Sequence, residues 1–481
     1  MVDIENLKEK FNNDPDLIVR EIEVNKNKLT LIYLKSIVDK DYISGFIVEP
    51  IVSLKKEFKT VNEIEEEVLF SCEVKKVRQN QIKDEILNGA TVLILNNEEE
   101  FLSFDTEKVP FRNITEPPTS AVIKGPREGF TENIKVNIAL IRKRMRSEHL
   151  KLETLYVGRE TKTQITLCYL ENIADPIIVN KIKNKISKIK IDGIIDSYYI
   201  TEFLEEKKQS IFKQIGNTEK PDIACAKMLE GRVVVLVDNT PIVLTLPYLL
   251  LEDLQDSSDY YNNHFRIFIV RTIRMLGILL AILSPGMYVA MLLYHSKVIP
   301  LNFFITIINS TQGLPFEPFI EVLFIIILFE ILYEVSLRLP RYLGLATSIV
   351  GALVLGDTGV KAGLISPPGV MIVALSGIAI YAIPDQSGQE STLRLLFLFL
   401  GGIGGFLGIL TGLVFIVSFM NKHDGYGAPY LAPLTPYIKE DMKDFIFKKP
   451  ITELKTRPLS FNQKNKVRLE DNEESIKYTS I

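Results

Sequence analysis

Cysteine and histidine are scarce in this sequence, and their spacing gives no support for metal or redox chemistry. The three cysteines, Cys72, Cys168 and Cys225, lie far apart, and the 4 histidines lack partners at the spacing of metal ligands. The sequence contains no CxxC pair, no HExxH helix, no P-loop and no GxSxG turn. We therefore expect no disulfide framework, no metal, no cofactor and no enzymatic activity.

An excess of basic charge is also missing. The chain has 56 Lys and Arg against 60 Asp and Glu, and both signs are interspersed in its N-terminal half. This balance is typical of a solvated surface and predicts no nucleic-acid partner. The polar, acidic start "MVDIENLKEKFNNDPD" does not resemble a cleavable signal peptide, so we expect the N-terminal half to stay in the cytoplasm.

Charge of either sign disappears from three long apolar runs in the second half of the chain. Residues 275–294, 362–384 and 395–420 contain no Asp, Glu, Lys or Arg, and about 20 such residues cross roughly 30 Å of hydrocarbon. Residues 1–263 contain no comparable run. The sequence thus predicts an α/β cytosolic region of two subdomains followed by an all-α polytopic membrane domain.

Composition divides the chain into six predicted regions. They are a polar leader at 1–28, a first α/β cytosolic subdomain at 29–117, a second at 118–262, a transmembrane helical domain of four to six membrane elements at 263–420, a Pro-rich segment at 421–450 and a disordered tail at 451–481. The paired prolines of "NITEPPTS" at 113–120 favour an extended linker between the two subdomains.

Local patterns within the cytosolic region predict individual elements. The run "VNEIEEEVLFSCEVKKV" at 61–77 is helix-like, and Ile134, Ile138 and Ile141 define one face of a second helix. A further helix is expected to start with Asp175 as its N-cap and Pro176 in its first turn. Residues 161–173 alternate as a strand, and 231–247 read as a hairpin.

The number of predicted spans and the charges that flank them indicate different sides of the membrane for the C-terminus. Full spans are predicted at about 275–295, 319–339, 342–360, 364–384 and 395–420, with a shallow or re-entrant element at 299–316. Arg266, Arg271 and Arg274 indicate a cytoplasmic start. Five spans would place the C-terminus outside, although lysines after the last span favour the cytoplasm. We therefore expect one broken or re-entrant span, most plausibly at "LGDTGVKAGLISPPG".

Carboxylates interrupt the span "PFIEVLFIIILFEILYEVSLRLP" at 318–340. An ionised carboxylate at mid-membrane costs about 2.5–3.5 kcal/mol. Glu334 and Arg338 stand four residues apart in the favourable order and predict an ion pair near the membrane interface. Glu330 lies deeper, so its partner is expected on another helix or in water.

The next span offers such a partner. Asp357 and Lys361 are one turn apart in "LVLGDTGVKAG", and with Glu330 they form either a buried structural network or the polar lining of an ion pathway. Val360 is a candidate for a hydrophobic constriction in an oligomer.

Glycines at intervals of three or four residues predict close helix packing. They are Gly401, Gly404, Gly405, Gly408 and Gly412.

Two further polar stretches have an ordinary alternative. "KGPREGF" with Lys124 and Arg127 resembles an anion-binding turn, although a plain turn before a helix is favoured. Asp385, Glu390 and Arg394 in "AIPDQSGQESTLR" are expected to lie in a solvated loop.

Several long motifs resemble the GerA-type A subunit of spore germinant receptors. They include "GPREGFTENIKVNIALIRKRM", "LYVGRETKTQITLCYLENIADP", "LPFEPFIEVLFIIILFEILYEVSLRLP" and "PYLAPLTP", and the similarity runs from about residue 118 to residue 450. Asp357, Asp385 and Glu390 depart from the common pattern of this family.

The resemblance implies a multi-pass protein of the spore inner membrane with a cytoplasmic N-terminal domain. It implies as partners a transporter-like B subunit and a lipoprotein C subunit, and homo-oligomers that form a nutrient-gated cation channel that triggers germination. No catalytic residue is implied. The alternatives are a secondary transporter subunit with Glu330 as relay, and a sporulation-stage paralogue acting as an ion channel or as a membrane scaffold.

Overall fold

Two α/β units are followed by a helical bundle in the computed structural model. It describes residues 4–24, 27–53, 60–67, 74–95, 100–108, 125–208, 210–339, 353 and 356–469. The predicted linker at 113–120, Lys124 and nearly all of the predicted span at 342–360 lie outside these residues.

The first unit is a five-stranded antiparallel sheet in the order β1-β2-β4-β5-β3. Its strands are β1 Leu17–Val24, β2 Asn27–Leu34, β3 Val74–Arg78, β4 Ala90–Leu95 and β5 Glu100–Asp105. Its helices are α1 Ile4–Lys10, α2 Lys40–Tyr42, α3 Glu49–Ser53, α4 Val61–Glu67 and α5 Ile82–Leu87, with a π turn at Ile43–Val48. Alternate residues of β2 enter cores on opposite faces of the sheet, so both faces are covered.

The second unit repeats this topology. Its sheet is antiparallel in the order β6-β7-β9-β10-β8. The strands are β6 Leu150–Val157, β7 Thr163–Leu170, β8 Gly216–Thr218, β9 Val233–Val237 and β10 Val243–Leu246, and the helices are α6 Ile134–Arg144, α7 Pro176–Ser187, α8 Ser197–Leu204 and α9 Pro221–Leu229. In both units a hairpin, a helical connection, an edge strand, a helix and a second hairpin follow in that order. The predicted α/β class with two units is confirmed.

Two local predictions in the first unit are wrong. Residues 17–24 of the expected polar leader form strand β1, which pairs along its whole length with β2. Of the helix expected over 61–77, Val61–Glu67 are helical and Val74–Arg78 instead form strand β3 beside β5, while 68–73 lie outside the described residues. Both segments lie at the edges of the sheet, where strands carry charged side chains on the side that faces solvent. These charges made the two strands difficult to recognise in the sequence.

The helices, the strand and the hairpin predicted in the second unit are confirmed. The Asp175 carboxylate accepts a hydrogen bond from the backbone N–H of Ile177, and Pro176 is the first residue of α7, as predicted. The isoleucine face of α6 is buried. Residues 163–170 form the expected strand, and β9 and β10 form the expected hairpin.

The two units are joined through a buried arginine. Arg142 of α6 is 3% exposed and forms ion pairs with Asp14 and Asp16 of the first unit, the latter at 2.9 Å from Nε to Oδ2. Burial disfavours the charge on Asp14 and raises its pKa, although Arg142 acts in the opposite direction.

The helical bundle consists of α10 His264–Tyr294, α11 Leu301–Thr311, α12 Pro318–Arg338, α13 Pro367–Ile380 and α14 Ser387–Asn421, with a short helical segment at 356–361. Among the described residues, two helices are long and apolar enough to cross a membrane by length and composition: His264–Tyr294 and Pro384–Asn421. The element expected to be shallow at 299–316 contains the short helix α11.

Helix α14 folds back on itself at Gly405. This residue has φ 57° and ψ −144°, a conformation that essentially only glycine adopts. A Cβ built on Gly412 would lie 3.2 Å from the Phe397 ring, although 15 positions separate the two residues. We call this element the hairpin, with a first arm at 387–404 and a second arm at 406–421.

The hairpin identifies which of the predicted spans is broken. The chain is also interrupted within the expected stretch, between the helical segment 356–361 and α13, but the reversal that brings it back to the second unit occurs at Gly405. The span predicted at 395–420 is therefore the broken one. Its uniform hydropathy concealed the reversal, because a glycine turn adds no polar residue.

The segment after the hairpin packs on the second unit. The backbone N–H of Lys464 donates to the carbonyl of Ile173 at 2.9 Å, and Arg457 Nε donates to the carbonyl of Leu229 at 2.8 Å. Phe461 is 1% exposed and lies against the Arg232 guanidinium. The predicted disorder of the tail is wrong for residues 451–469, because apolar and hydrogen-bonded anchors are spaced among its charges.

Candidate functional site

The second unit and the helices meet at a surface that we call the joint, formed by residues 212–213, 248–259, 271–274, 385–389 and 423–445. One half of the joint is a buried ion-pair cluster. Arg271 is 1% exposed, and its Nε donates to Asp259 at 2.9 Å while its Nη1 donates to Asp444 at 3.0 Å. Arg274, one turn further along α10, also donates to Asp259. The cluster ties the start of α10 to the chain leaving the second unit and to the C-terminal segment.

The other half of the joint holds the hairpin. The backbone N–H of Lys213 donates to Gln389 Oε1 at 3.2 Å, and Gln386 Nε2 donates to Asp253 Oδ2 at 3.0 Å. Tyr248 Oη donates to the same carboxylate at 2.7 Å. The first turn of the hairpin is therefore hydrogen-bonded directly to the second unit.

A cavity of about 590 Å³ opens beside the joint. Residues from the second unit, from α10 and from the chain before the hairpin line it, among them Glu252, Tyr260, Arg274 and Asp385. Burial opposes the charge of Glu252, but the nearby Arg232 and Lys227 outweigh it and lower the pKa of this carboxyl to about 2.

His423 lies at the end of the second arm, where the chain re-enters the joint. It is 3% exposed and meets the Tyr430 ring edge-on at 4.9 Å between centroids. Burial lowers the pKa of His423, and Lys207 adds to that shift, against smaller opposing effects of Glu206 and Asp424. Folding therefore shifts the equilibrium of His423 towards the neutral imidazole.

Within the bundle, Glu330 has a different partner from the one expected. It accepts hydrogen bonds from Arg394 Nη2 at 2.5 Å and from the Ser391 hydroxyl, both on the first arm of the hairpin. Asp357 and Lys361 pair with each other instead, at 2.6 Å. The predicted cluster of Glu330 with Asp357 and Lys361 is wrong, because Arg394 on the hairpin supplies the positive charge.

The Asp357–Lys361 pair lies on the surface of the bundle. The two side chains are 56% and 73% exposed, while Val360 beside them packs partly against the bundle core. Glu334 and Arg338 also form an exposed pair, at 2.6 Å. Each pair therefore presents both charges on the outside of a single chain.

Sequence reasoning missed the buried site around the carboxylate of Glu321. Glu321 is 1% exposed and accepts hydrogen bonds from the backbone N–H and the hydroxyl of Ser366, both at 2.6 Å. These donors precede α13, 45 positions further along the chain. The sequence signal at this site is a serine followed by proline at 366–367, which is typical of the start of a helix.

The solvated loop expected at 382–394 is only partly present. Asp385 is 52% exposed, but Glu390 and Arg394 are buried at 1% and 3% exposure. The prediction is wrong for these two residues because α14 begins at Ser387, which places both inside its first turns.

Four of the five predicted packing glycines make close approaches. A Cβ on Gly401 would lie 2.9 Å from the carbonyl carbon of Gly286 in α10, and a Cβ on Gly408 would lie 3.1 Å from that of Leu400. Gly412 meets the first arm and Gly405 forms the turn. Gly404 faces open space.

The suggested anion-binding turn stays a prediction, because Lys124 lies outside the described residues. Arg127 is exposed, while Phe130 of the same stretch is buried and anchors it to the second unit through a backbone hydrogen bond to Glu219. Within the part of the chain that the structure describes, no three His, Cys, Asp or Glu side chains are grouped to hold a metal ion.

Comparisons with known proteins extend over both α/β units and the bundle. The profile of the Bacillus/Clostridium GerA spore germination protein family matches residues 5–460. The chain is 34% identical over 474 residues to the uncharacterized membrane protein YfkQ of Bacillus subtilis (strain 168), covering 96% of this chain and 92% of that protein. It is 33% identical over 469 residues to spore germination protein KA of the same strain, covering 96% and 86%.

One solved structure is also similar. It is the crystal structure of the N-terminal domain of the A subunit of the Bacillus megaterium spore germinant receptor GerK3, with 27% identity and a TM-score of 0.39, covering 51% of this chain and 94% of that chain. The length of the family match and the identity to two full-length relatives decide the assignment. The chain belongs to the GerA family of Bacillus and Clostridium spore germination proteins.

Proposed function

We propose that this chain is the A subunit of a nutrient germinant receptor in the spore inner membrane, where several copies assemble into a ligand-gated cation channel. A transporter-like B subunit and a lipoprotein C subunit complete the receptor, as the family resemblance implies. Support comes from the match to the GerA family and from a relative named spore germination protein KA. The proposed role involves no catalytic step.

The order of the helices supports a multi-pass arrangement. Helix α10 leaves the joint near Arg271 and ends at the hairpin turn, where Tyr294 Oη donates to the carbonyl of Gly402 at 2.9 Å. Helix α12 starts beside the same turn, with the rings of Phe319 and Phe399 5.3 Å apart. It runs back toward the joint, where Tyr333 lies 5.9 Å from Tyr381.

The remaining helices continue the alternation. Helix α13 starts directly after Ser366, beside Glu321 near the hairpin turn, and ends next to the joint. Each arm of the hairpin is about 25 Å long at 1.5 Å per residue. We therefore propose that the joint faces the cytoplasm and the hairpin turn faces the opposite side. Both α/β units and the C-terminal segment then share the cytoplasm, in agreement with the lysines after residue 421.

One observation carries the channel proposal: the Asp357–Lys361 pair stays more than half exposed on the surface of the bundle. Many other exposed side chains of the bundle are aliphatic or aromatic. Charges on the surface of a membrane segment are expensive unless they face water or another subunit. An oligomer that turns this face inward surrounds a polar path with Asp357, Val360 and Lys361.

The test compares potassium release from spores after nutrient addition in native protein, Asp357→Asn and Lys361→Gln at matched membrane levels. We expect a changed release rate or ion preference in both variants. The matched control is Glu453→Gln, because Lys449 and Glu453 also form a solvent-exposed pair four residues apart but outside the bundle. Unchanged release in both bundle variants would contradict the channel, and saturable gradient-coupled uptake would favour a transporter.

A further inference from the structure

Arg394 follows Glu390 by one helical turn but pairs with Glu330 on another helix. It is 3% exposed on the first arm of the hairpin, and its Nη2 lies 2.5 Å from Oε1 of Glu330 on α12. Glu390 lies one turn earlier on the same arm and is 1% exposed. Within the described residues, neither oxygen of Glu390 has a hydrogen-bond partner, and Arg394 Nε has none either.

This arrangement leaves the less hydrated carboxylate unpaired. A buried charge without a partner costs several kcal/mol, whereas the Glu330 side chain is 36% exposed and keeps a hydrogen bond from Ser391. Residues four apart on a helix lie about 5–6 Å apart at Cβ, and glutamate before arginine is the favourable order. A change of side-chain rotamer would therefore let Arg394 reach Glu390 as a second acceptor.

We infer that Arg394 is a positioning residue that exchanges partners between two states of the bundle. In the state described, Arg394 bridges the first arm to α12 through Glu330. In the second state it pairs with Glu390 inside its own arm, which removes the link and lets α12 separate from the hairpin. The consequence for ion release rests on the proposed channel function, but the exchange itself does not.

The exchange is connected to the second unit. Gln389, next to Glu390, accepts a hydrogen bond from the backbone of Lys213, and Gln386 donates to Asp253. Rotation of the arm by a movement of the second unit would therefore change which carboxylate Arg394 meets. Other carboxylates of the bundle are paired elsewhere: Glu321 with Ser366, and Glu334 with Arg338.

Two single variants separate this exchange from a purely structural pair. Glu330→Gln weakens the link to α12, so we expect the second state to be favoured and spores to release potassium several-fold faster without nutrient. Glu390→Gln weakens the alternative acceptor, so nutrient-triggered release should become several-fold slower. Changes in the same direction for both variants would overturn the proposal.

A distance measurement tests the exchange without relying on conduction. The full chain in lipid nanodiscs is spin-labelled at Ile331→Cys on α12 and Leu396→Cys on the first arm, which are 54% and 41% exposed. We expect Glu330→Gln to lengthen the distance and Glu390→Gln to leave it unchanged. An unchanged distance in Glu330→Gln would overturn the exchange even if the channel proposal holds.

Ser391→Ala guards against loss of folding in Glu330→Gln. It removes one hydrogen bond to Glu330 and keeps every charge. We expect a smaller change in the same direction as Glu330→Gln, in both distance and nutrient-free release. If the distance changes as expected but no variant alters potassium release, the exchange stands and the channel function fails.

Discussion

The two α/β units have the same strand order but different connections to the rest of the molecule. The first unit pairs with the second through Arg142 and through Lys83 with Glu148. The second unit also carries the joint, through residues outside its sheet such as Lys213 and Asp253. The repeated fold therefore does not determine the role of either unit, because the loops and ends around the second sheet make the difference.

The largest loss of stability is expected when Arg271 is removed from the joint, which only the second unit carries. Arg271→Ala removes the buried ion pairs to Asp259 and Asp444 and leaves Asp259 with Arg274 alone, so we expect a loss of about 3–5 kcal/mol in the free energy of unfolding. Chemical denaturation of the full chain in detergent measures it. Arg266→Ala, an exposed site on the same helix, should change stability by less than about 1 kcal/mol. Equal losses in both variants would contradict a specific joint.

The second largest loss of stability is expected when the contact between the two units is removed. Arg142→Ala leaves Asp14 buried and unpaired, while the more exposed Asp16 becomes hydrated, so we expect a loss of about 3 kcal/mol. Limited proteolysis should release the first unit while the second unit stays protected. Arg146→Ala, which removes only an exposed hydrogen bond to Asn88, should leave the digestion pattern unchanged. Simultaneous digestion of both units would show that the units are not separable.

Acid should weaken the second unit through Glu252. The folded pKa of Glu252 lies below its ordinary value, so its contribution to stability is fully present above about pH 4.5 and is lost as pH falls toward 2. Denaturation of native protein and Glu252→Gln from pH 5 to 2 measures the effect. The gap between them should shrink across this window, and a constant gap would contradict the assigned pKa shift.

The smallest effect concerns His423. Its folded pKa is lowered, so the unfolded chain binds the proton more readily, and stability should fall as pH drops below about 6.5. His423→Phe keeps an aromatic ring against Tyr430 without a titratable group. The slope of stability between pH 7.5 and 5.5 should therefore be reduced in the variant. An unchanged slope would assign it to other groups.

Local chemistry allowed individual elements to be predicted. Asp175 and Pro176 define the start of α7, and the isoleucine spacing of α6 defines its buried face, because these signals depend only on neighbours in sequence. The polar contacts of the bundle depend on chain positions far apart. Glu330 and Arg394 are 64 positions apart, and the sequence also offered Asp357 and Lys361 as partners. Charge alone could not choose between them.

The sequence analysis also failed to predict the reversal at Gly405, for a physical reason. Hydropathy measures transfer from water to lipid, and a glycine turn within an apolar run leaves that quantity unchanged. Positive φ at Gly405 and the close approaches of Gly408 and Gly412 require three-dimensional information. Glycine spacing predicted tight packing without revealing that the two packed helices belong to one predicted span.

The claim that the helices cross a membrane with the joint on the cytoplasmic side is tested most directly by cysteine labelling in membranes. Val298→Cys follows α10 and Val467→Cys lies in the C-terminal segment, and they are 63% and 54% exposed. Burial raises the pKa of the native Cys225 thiol to about 12, so it should stay unreactive. The unmutated chain sets the background.

A membrane-impermeant thiol reagent should label Val298→Cys from outside without permeabilisation, and Val467→Cys only after permeabilisation. That result would place the hairpin turn and the joint on opposite sides. Labelling of both positions from the same side would contradict the proposed topology and, with it, the channel.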